Sequence, residues 1–268
     1  MTQIPTTLTI AGTDPSGGAG IQADLKTFQE LKSYGMSVIT SVVAQNTTGV
    51  QDVHHLPVEI IEQQLDSVIS DIPVHAFKTG MIANKDMMKV IAKHVSDLDA
   101  FYVMDPVMVA TSGDSLINQD SRHFLREHLL PLTTLVTPNI PEAEFLTGDK
   151  IGTLDDMKQA AEKIVKDFGA DAALVKGGHM SGKAVDFLYD GMTISTFSAD
   201  RIDTKNTHGT GCTYSAAITA YLSQGVPLQE AVTKAKRFVT TAIKHSFSLG
   251  SGSGPTNHWA TRMEAMKQ

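Results

Sequence analysis

The chain has 268 residues, enough to bury a substantial core and within the range of one large α/β domain. A formal net charge of -7 excludes a nucleic-acid or anionic-membrane surface as its main partner, so any phosphate site must be local. One cysteine, no signal-peptide pattern and no apolar run of membrane-spanning length predict a cytoplasmic protein without disulfides, a multi-cysteine zinc site or a membrane partner.

Short β-branched runs predict strands, and apolar residues at helical spacing predict helices. The predicted strands cover residues 8–11, 38–44, 75–78, 101–104, 134–137, 172–176, 185–189 and 193–197. The predicted helices cover residues 21–31, 58–72, 85–94, 121–130, 154–168, 213–222 and 228–243. Asn84 is a predicted helix cap, and residues 153–156 form a predicted capping box.

Alternating strands and helices predict a mostly parallel sheet covered on both faces, in a single domain spanning residues 1–268. Asp190-Gly191 predicts a tight primed turn and therefore a small antiparallel hairpin added to that sheet. In such sheets, ligands bind beyond the carboxyl ends of the strands. The residues expected on that rim are Gly12, Gln45, Gly80, Asp105, Asn139 and Gly177.

Residues 207–212, THGTGC, place two glycines before a helix predicted to begin near Thr213. The first amides of a helix lack internal partners and carry the positive end of its dipole, so they stabilise an anion. Gly209 and Gly211 allow the backbone to approach such a ligand closely. We interpret the stretch as a phosphate-binding loop, and the alternative is a plain strand-to-helix turn.

Three charged residues are predicted close to this rim. Asp105 and Glu142 are two carboxylates suited to Mg²⁺ that retains several waters, although Glu142 could equally complement a helix dipole. Lys176 ends an apolar strand, where it either reaches solvent or neutralises transferring phosphate oxygens.

Other motifs give weaker signals. Residues 18–23 match a loose dinucleotide fingerprint, but the strand ends too early and no acidic ribose ligand follows, so a Rossmann dehydrogenase is disfavoured. The chain has no Gly-Lys-Ser/Thr, which excludes a Walker-type phosphate loop. His54 and His55 are predicted to be loop histidines on the surface, because no third metal ligand lies at a matching spacing.

Two residues keep two interpretations each. Cys212 is either a nucleophile or base with a thiol pKa lowered by the helix N-terminus, or a small residue packed under the loop. Asp24 is either a solvated carboxylate on the first helix or, because it follows a glycine loop, a ligand-binding residue.

Taken together, the chain resembles the ribokinase-like superfamily and, within it, the hydroxymethylpyrimidine and hydroxymethylpyrimidine-phosphate kinases of thiamine biosynthesis. The resemblance runs nearly end to end. It is carried by residues 8–14 (LTIAGTD), 17–26 (GGAGIQADLK), 43–47 (VAQNT), 78–81 (KTGM), 105–108 (DPVM), 137–139 (TPN), 176–179 (KGGH) and 207–212 (THGTGC). It implies a three-layer α/β/α fold with a mostly parallel central sheet, ATP and Mg²⁺ as cofactors, and a homodimer.

The resemblance also implies roles for individual residues. Gln45 would bind the aminopyrimidine, and the substrate pocket would be framed by Gly12, Asp24, Met81 and Val107. The Mg-ATP phosphates would contact Asn139, Glu142, Lys176 and Thr210. Asp105 would hold the metal waters, and the anion hole would be the loop 209–212. The wider superfamily usually has Asp where Cys212 stands.

The implied reaction is transfer of a γ-phosphoryl group to the pyrimidine hydroxymethyl group, followed by a second transfer onto that phosphate. A related branch phosphorylates pyridoxal and pyridoxine, and some of its members share the cysteine-containing loop. Gln45 favours the pyrimidine, because a side-chain amide pairs donor and acceptor with an aminopyrimidine edge. The remaining alternatives are a pyridoxal kinase and a nucleotide-binding homologue without turnover.

Overall fold

The computed structural model describes residues 4–108, 119–178 and 182–265. Its strands are β1 (Thr6–Ala11), β2 (Tyr34–Ile39), β3 (Ser41–Asn46), β4 (Gly49–His55), β5 (Ala76–Thr79), β6 (Phe101–Met104), β7 (Leu135–Val136), β8 (Ala173–Lys176), β9 (Ala184–Tyr189) and β10 (Ile194–Ala199). Its α-helices are α1 (Gly20–Glu30), α2 (Val58–Ile69), α3 (Lys85–Val95), α4 (Gln119–Phe124), α5 (Ile140–Thr147), α6 (Leu154–Phe168), α7 (Thr210–Ser223), α8 (Leu228–Lys244) and α9 (Ala260–Ala265).

The main sheet has the strand order β10-β9-β8-β7-β6-β5-β1-β2 among the described residues. The six strands from β8 to β2 pair in parallel. β9 pairs antiparallel with β8, and the edge strand β10 pairs antiparallel with β9. This arrangement confirms the predicted parallel sheet with an antiparallel hairpin at its edge.

Two apolar layers cover the sheet, because successive side chains along each strand point to opposite faces. One layer packs Leu8, Ile10 and Phe77 against α2, α3, α5 and α6. The other packs Val103 and Leu135 against α7 and α8. The fold is therefore a three-layer α/β/α arrangement, as predicted. No helix in the described ranges is long and apolar enough to cross a membrane.

The predicted strand 38–44 is wrong in one respect, because it is two strands that belong to different sheets. Thr40 separates β2 from β3, and its backbone N–H donates to the carbonyl oxygen of Ala11. Beyond that point, β3 and the unpredicted β4 form a separate two-stranded antiparallel sheet, here called the flap. His54 and His55 are exposed as predicted, but they lie in β4 and not in a loop.

Two further local predictions need correction. The hairpin turn between β9 and β10 is centred one residue later than predicted, because the Asp190 N–H donates to the Thr193 carbonyl oxygen and leaves Gly191 and Met192 as the central residues. Gly191 has φ of 86°, and the Asp190 side chain accepts the Thr193 N–H and closes the turn. The predicted helix 121–130 is also not uniform: α4 is followed by a π-turn at Leu125–Leu129 and a 3₁₀ turn at Leu130–Leu132 containing Pro131.

Candidate active site

A cavity of about 760 Å³ opens at the carboxyl ends of the parallel strands. Its size lies within the usual range of small-molecule sites. Twelve of the thirteen predicted site residues line it: Gly12, Gln45, Met81, Asp105, Val107, Asn139, Glu142, Lys176, Gly209, Thr210, Gly211 and Cys212. Asp24 does not line it, and neither does Gly177, which packs against the Val185 backbone.

Helix α7 begins at Thr210, earlier than the predicted start near Thr213. Gly209 is its N-cap and has a left-handed conformation with φ of 78°, which is why the helix starts directly after it. Thr210, Gly211 and Cys212 therefore form the first helical turn, whose N–H groups have no acceptor within the helix. All three residues line the cavity, so the positive end of the helix dipole faces it.

Of the two glycines in this motif, Gly209 is required for space, whereas a Cβ on Gly211 would meet its neighbours at ordinary contact distances. A Cβ on Gly209 would overlap the carbonyl oxygen of Gly18, so the turn lies directly against the glycine loop that precedes α1. A Cβ on Gly211 would lie 3.5 Å from Lys176 Nζ and 3.6 Å from Asp105 Oδ2. The backbone at Gly211 thus adjoins two charged side chains of the cavity wall.

Lys176 and Asp105 form a largely buried ion pair at the ends of β8 and β6. Lys176 Nζ lies 3.1 Å from Asp105 Oδ1, with side-chain exposures of 13% and 3%. Burial would lower the pKa of Lys176, but Asp105 and Glu142 outweigh it and hold the pKa above its usual value. Lys176 is therefore a cation beside the first turn of α7.

Glu142 lies in the first turn of α5 and forms a capping box with Asn139. The Asn139 backbone N–H donates to Glu142 Oε2 at 2.8 Å, and the Glu142 N–H donates to Asn139 Oδ1 at 3.0 Å. Burial raises the pKa of Glu142 to about 7, with Asp105 adding to the shift and Lys176 opposing it. The structure thus shows the dipole-complementing role and a cavity-lining position together.

The carboxylates of the cavity suit Mg²⁺ better than a metal ion that is coordinated entirely by protein side chains. The described residues contain no cluster of three or more His, Cys, Asp or Glu side chains able to enclose an ion. Asp105 and Glu142 line the same cavity and interact electrostatically. Two carboxylates facing an open cavity match Mg²⁺, which keeps most of its waters and is completed by substrate phosphates.

Cys212 is the free cysteine of the chain and lies partly buried in the first turn of α7. Burial raises the pKa of its thiol to about 12, although the Lys78 ammonium opposes the shift. The helix N-terminus therefore does not produce a thiolate at neutral pH in the free protein. This favours the interpretation of Cys212 as a lining residue.

Asp24 is fully buried and is bonded to the protein itself. Its Oδ1 lies 2.9 Å from Lys78 Nζ, and its Oδ2 accepts a 2.6 Å hydrogen bond from Thr9. It is neither a solvated carboxylate nor a cavity-lining residue. Lys78, which the sequence analysis did not single out, lines the cavity instead, and its ammonium is fixed by Asp24.

Gln45 lies on β3, in the flap, and lines the cavity. The β3–β4 register shifts between Ala44 and Gln45, so a bulge precedes the Gln45 side chain. Two hydrogen bonds join the flap to the loop that follows β1. The Val43 N–H donates to Thr13 Oγ1, and the Thr13 N–H donates to the Ser41 carbonyl oxygen. Gly12, Met81 and Val107 line the same cavity as Gln45.

The cavity wall also contains residues that the sequence analysis missed. The α8 side chains Val239 and Ile243 line it together with Ile202 and Tyr214, and Lys236 pairs with Asp186 at 2.6 Å. These α8 residues carry an ordinary amphipathic pattern, which predicts only a buried helix face. His179, part of one motif of the resemblance, lies outside the described residues.

The model of the phosphomethylpyrimidine kinase family matches residues 14–257. The chain belongs to this family. A hydroxymethylpyrimidine/phosphomethylpyrimidine kinase of Staphylococcus aureus is 49% identical over 256 residues, which cover 94% of this chain and 93% of the relative. The predicted family is thereby confirmed.

Solved structures are similar over nearly the whole chain. An ADP complex of Bacillus subtilis pyridoxal kinase has a TM-score of 0.91 and 45% identity, covering 97% of this chain and 100% of that one. A phosphomethylpyrimidine kinase from Clostridium difficile has a TM-score of 0.80 and 44% identity, covering 89% of this chain and 99% of that one. These similarities confirm the ribokinase-like fold.

Proposed function

We propose that this member of the phosphomethylpyrimidine kinase family transfers the γ-phosphoryl group of ATP to hydroxymethylpyrimidine and then to its monophosphate. The observation that carries the proposal is the position of the α7 N-terminus. Its first-turn residues line the same cavity as Gln45 of the flap. Lys176 and Asp105 line that cavity next to the first turn. The named relatives and the ADP complex of the similar pyridoxal kinase support the same assignment.

Phosphoryl transfer requires the acceptor oxygen and the leaving oxygen to be held in line, with neutralisation of charge on the migrating group. Here the first-turn amides at Gly211 and Cys212 would receive the γ-phosphoryl oxygens, since the Thr210 N–H already donates to the Thr207 carbonyl oxygen, and Lys176 adds a fixed cation beside them. The acceptor oxygen forms a bond to phosphorus as the bond from phosphorus to the β-phosphate oxygen breaks. Positioning and charge therefore supply most of the catalysis, without a strong protein base.

Mg²⁺ would be held by Asp105 and Glu142 and would neutralise charge on the nucleotide phosphates. Asp105 is oriented for this role by its neighbours, since Ser215 Oγ donates to its Oδ2 at 3.3 Å. Asn139 and Glu142 fix each other through the capping box, which keeps the carboxylate at the cavity wall.

Two different parts of the cavity wall would hold the nucleotide base and the pyrimidine. Val239, Ile243 and Ile202 offer an apolar surface suited to a purine base. In the flap, the Gln45 side-chain amide offers a hydrogen-bond donor and an acceptor, which match the edge of an aminopyrimidine. Gly12, Met81 and Val107 would pack around the pyrimidine ring. Lys78 lines the same cavity and is held in place by its ion pair with Asp24.

Pyridoxal is the second candidate acceptor, because the chain is also similar to a pyridoxal kinase of known structure. The relatives named for the pyrimidine reaction and the amide of Gln45 favour hydroxymethylpyrimidine. The test is a coupled assay of ADP formation with hydroxymethylpyrimidine, its monophosphate and pyridoxal in turn. We expect turnover with the first two. Good turnover of pyridoxal with none of hydroxymethylpyrimidine would refute the substrate, and nucleotide binding without any turnover would refute the enzyme.

We also propose a homodimer in the cytoplasm. The family resemblance supports the dimer. The free thiol of Cys212 fits a reducing compartment. Sedimentation velocity across a concentration series tests the dimer, and a single species of about 29 kDa at every concentration would refute it.

A further inference from the structure

Asp14 is buried in the glycine loop between β1 and α1, although neither the motifs nor the family resemblance gave it a role. It is 1% exposed and lines the cavity. Its Oδ2 accepts the backbone N–H groups of Gly18 at 3.1 Å and Ala19 at 2.7 Å, and its Oδ1 accepts the Ser16 N–H at 2.9 Å and the Ser16 hydroxyl at 2.7 Å. The carboxylate therefore sets the shape of this loop.

The same carboxylate also reaches the loop that precedes α7. Its Oδ2 lies 2.7 Å from Nε2 of His208, the residue immediately before Gly209. Burial would raise the pKa of Asp14, but hydrogen bonds from His208, Ser16 and Gln45 outweigh it, and the pKa lies well below its usual range. Asp14 is thus ionised, and a charge-assisted hydrogen bond to His208 joins the two loops.

His208 is itself fixed by a third segment of chain. Its backbone N–H donates to the Gly254 carbonyl at 3.1 Å, and its carbonyl accepts the Thr256 N–H at 3.2 Å. The next residue, Gly209, touches the Gly18 backbone so closely that no side chain fits between them. A shift of His208 would therefore move Gly209 and the first-turn amides that follow it.

We propose that Asp14 and His208 are positioning residues that hold the first-turn amides of α7 at the distance from the glycine loop that phosphoryl transfer requires. They act through Gly209 and the amides and need not touch the transferred group. The proposal rests on the function proposed above and adds two residues to it.

The direct test removes the donor from His208. For His208→Ala, we expect kcat with hydroxymethylpyrimidine to fall at least about tenfold, because displacements approaching 1 Å at a reacting centre can cost about a hundredfold in rate. His208→Gln retains an N–H donor near the position of Nε2, so we expect it to recover kcat to within about threefold of the unsubstituted protein.

His94→Ala is the matched control. His94 Nε2 lies 3.1 Å from Asp66 Oδ1, and its side chain is 11% exposed, compared with 12% for His208. This pair joins α3 to α2 and does not line the cavity. We expect His94→Ala to leave kcat unchanged while thermal unfolding measures what loss of such a pair does to stability.

A second readout does not depend on turnover. ADP lacks the phosphate that would lie on the first-turn amides, whereas a non-hydrolysable ATP analogue with a β,γ-methylene bridge carries it. By calorimetric titration with Mg²⁺ present, we expect His208→Ala to weaken binding of the analogue at least about fivefold more than binding of ADP. His208→Gln and His94→Ala should leave the ratio of the two Kd values unchanged.

Three results would overturn the proposal: unchanged kcat and Kd ratio in folded His208→Ala, a loss of kcat that follows only the folded fraction, or a His208→Gln variant as impaired as His208→Ala. A different result would refute the proposed function alone. If the unsubstituted protein turns over no acceptor while the Kd ratio still changes in His208→Ala, the kinase assignment is wrong and the positioning role stands.

Discussion

Gly209→Ala tests whether catalysis depends on the position of the α7 N-terminus. Gly209 has φ of 78°, and a Cβ there would overlap the Gly18 carbonyl oxygen. Gly148 provides a matched control, because its φ is 77° and nothing lies within 4 Å of an added Cβ. Both substitutions impose the cost of a left-handed alanine, about 1–2 kcal/mol, but only Gly209→Ala also forces two loops apart.

The expected magnitude follows from the size of that displacement. Restoring ordinary contact between the new Cβ and the Gly18 oxygen requires the turn to move by roughly 2 Å. A displacement of about 1 Å at a reacting centre can already cost about a hundredfold in rate, so we expect Gly209→Ala to lower kcat at least about a hundredfold and Gly148→Ala to leave it within about twofold.

The assay is steady-state ADP formation at saturating ATP and acceptor, at a temperature where thermal unfolding shows both variants fully folded. Equal kcat values for folded Gly209→Ala and Gly148→Ala would refute the reasoning, since the first-turn amides would then not be positioned by contact with Gly18. A Gly209→Ala variant that does not fold leaves the test to the His208 variants described above.

Three further predictions concern individual side chains. Since the pKa of the sole cysteine is raised to about 12, alkylation of Cys212 by iodoacetamide should increase without a plateau up to about pH 10, and a plateau below pH 9 would contradict the buried neutral thiol. Gln45→Met should raise KM for hydroxymethylpyrimidine about tenfold and leave KM for ATP nearly unchanged; an unchanged pyrimidine KM would remove Gln45 from the acceptor site. Glu142 has its pKa raised from 4.5 to about 7, so across that window the folded chain retains a proton that the unfolded chain releases, and stability falls as pH rises. Glu142→Gln should reduce this fall in thermal unfolding, and an identical pH profile for both proteins would contradict the raised pKa.

The order of the strands and helices could be predicted because each depends on local sequence. The helices capped by Asn84 and Thr153 begin where their side chains accept the expected backbone N–H groups. The flap could not be predicted as a separate sheet, because its strand β3 continues the apolar run of β2 with only Thr40 between them. Tertiary contacts decide which neighbour a strand pairs with, and the periodicity of the sequence does not show these contacts.

The site was predictable where its residues follow strand ends or lie in a glycine motif. Asp105 and Lys176 follow this rule, and the structure brings them within 3.1 Å of each other. The environment of Asp24 was not predictable, because its partner Lys78 lies 54 positions away and meets it only across β5 and α1. For the same reason, sequence spacing alone could not show that His208 reaches Asp14.

The most direct test of the central claim is a crystal structure with Mg²⁺, the β,γ-methylene ATP analogue and hydroxymethylpyrimidine bound. The account predicts that the terminal phosphonate accepts hydrogen bonds from the amides of Gly211 and Cys212, close to Lys176, with the pyrimidine edge against Gln45. A terminal phosphonate bound elsewhere in the cavity, with those amides facing only water, would contradict it.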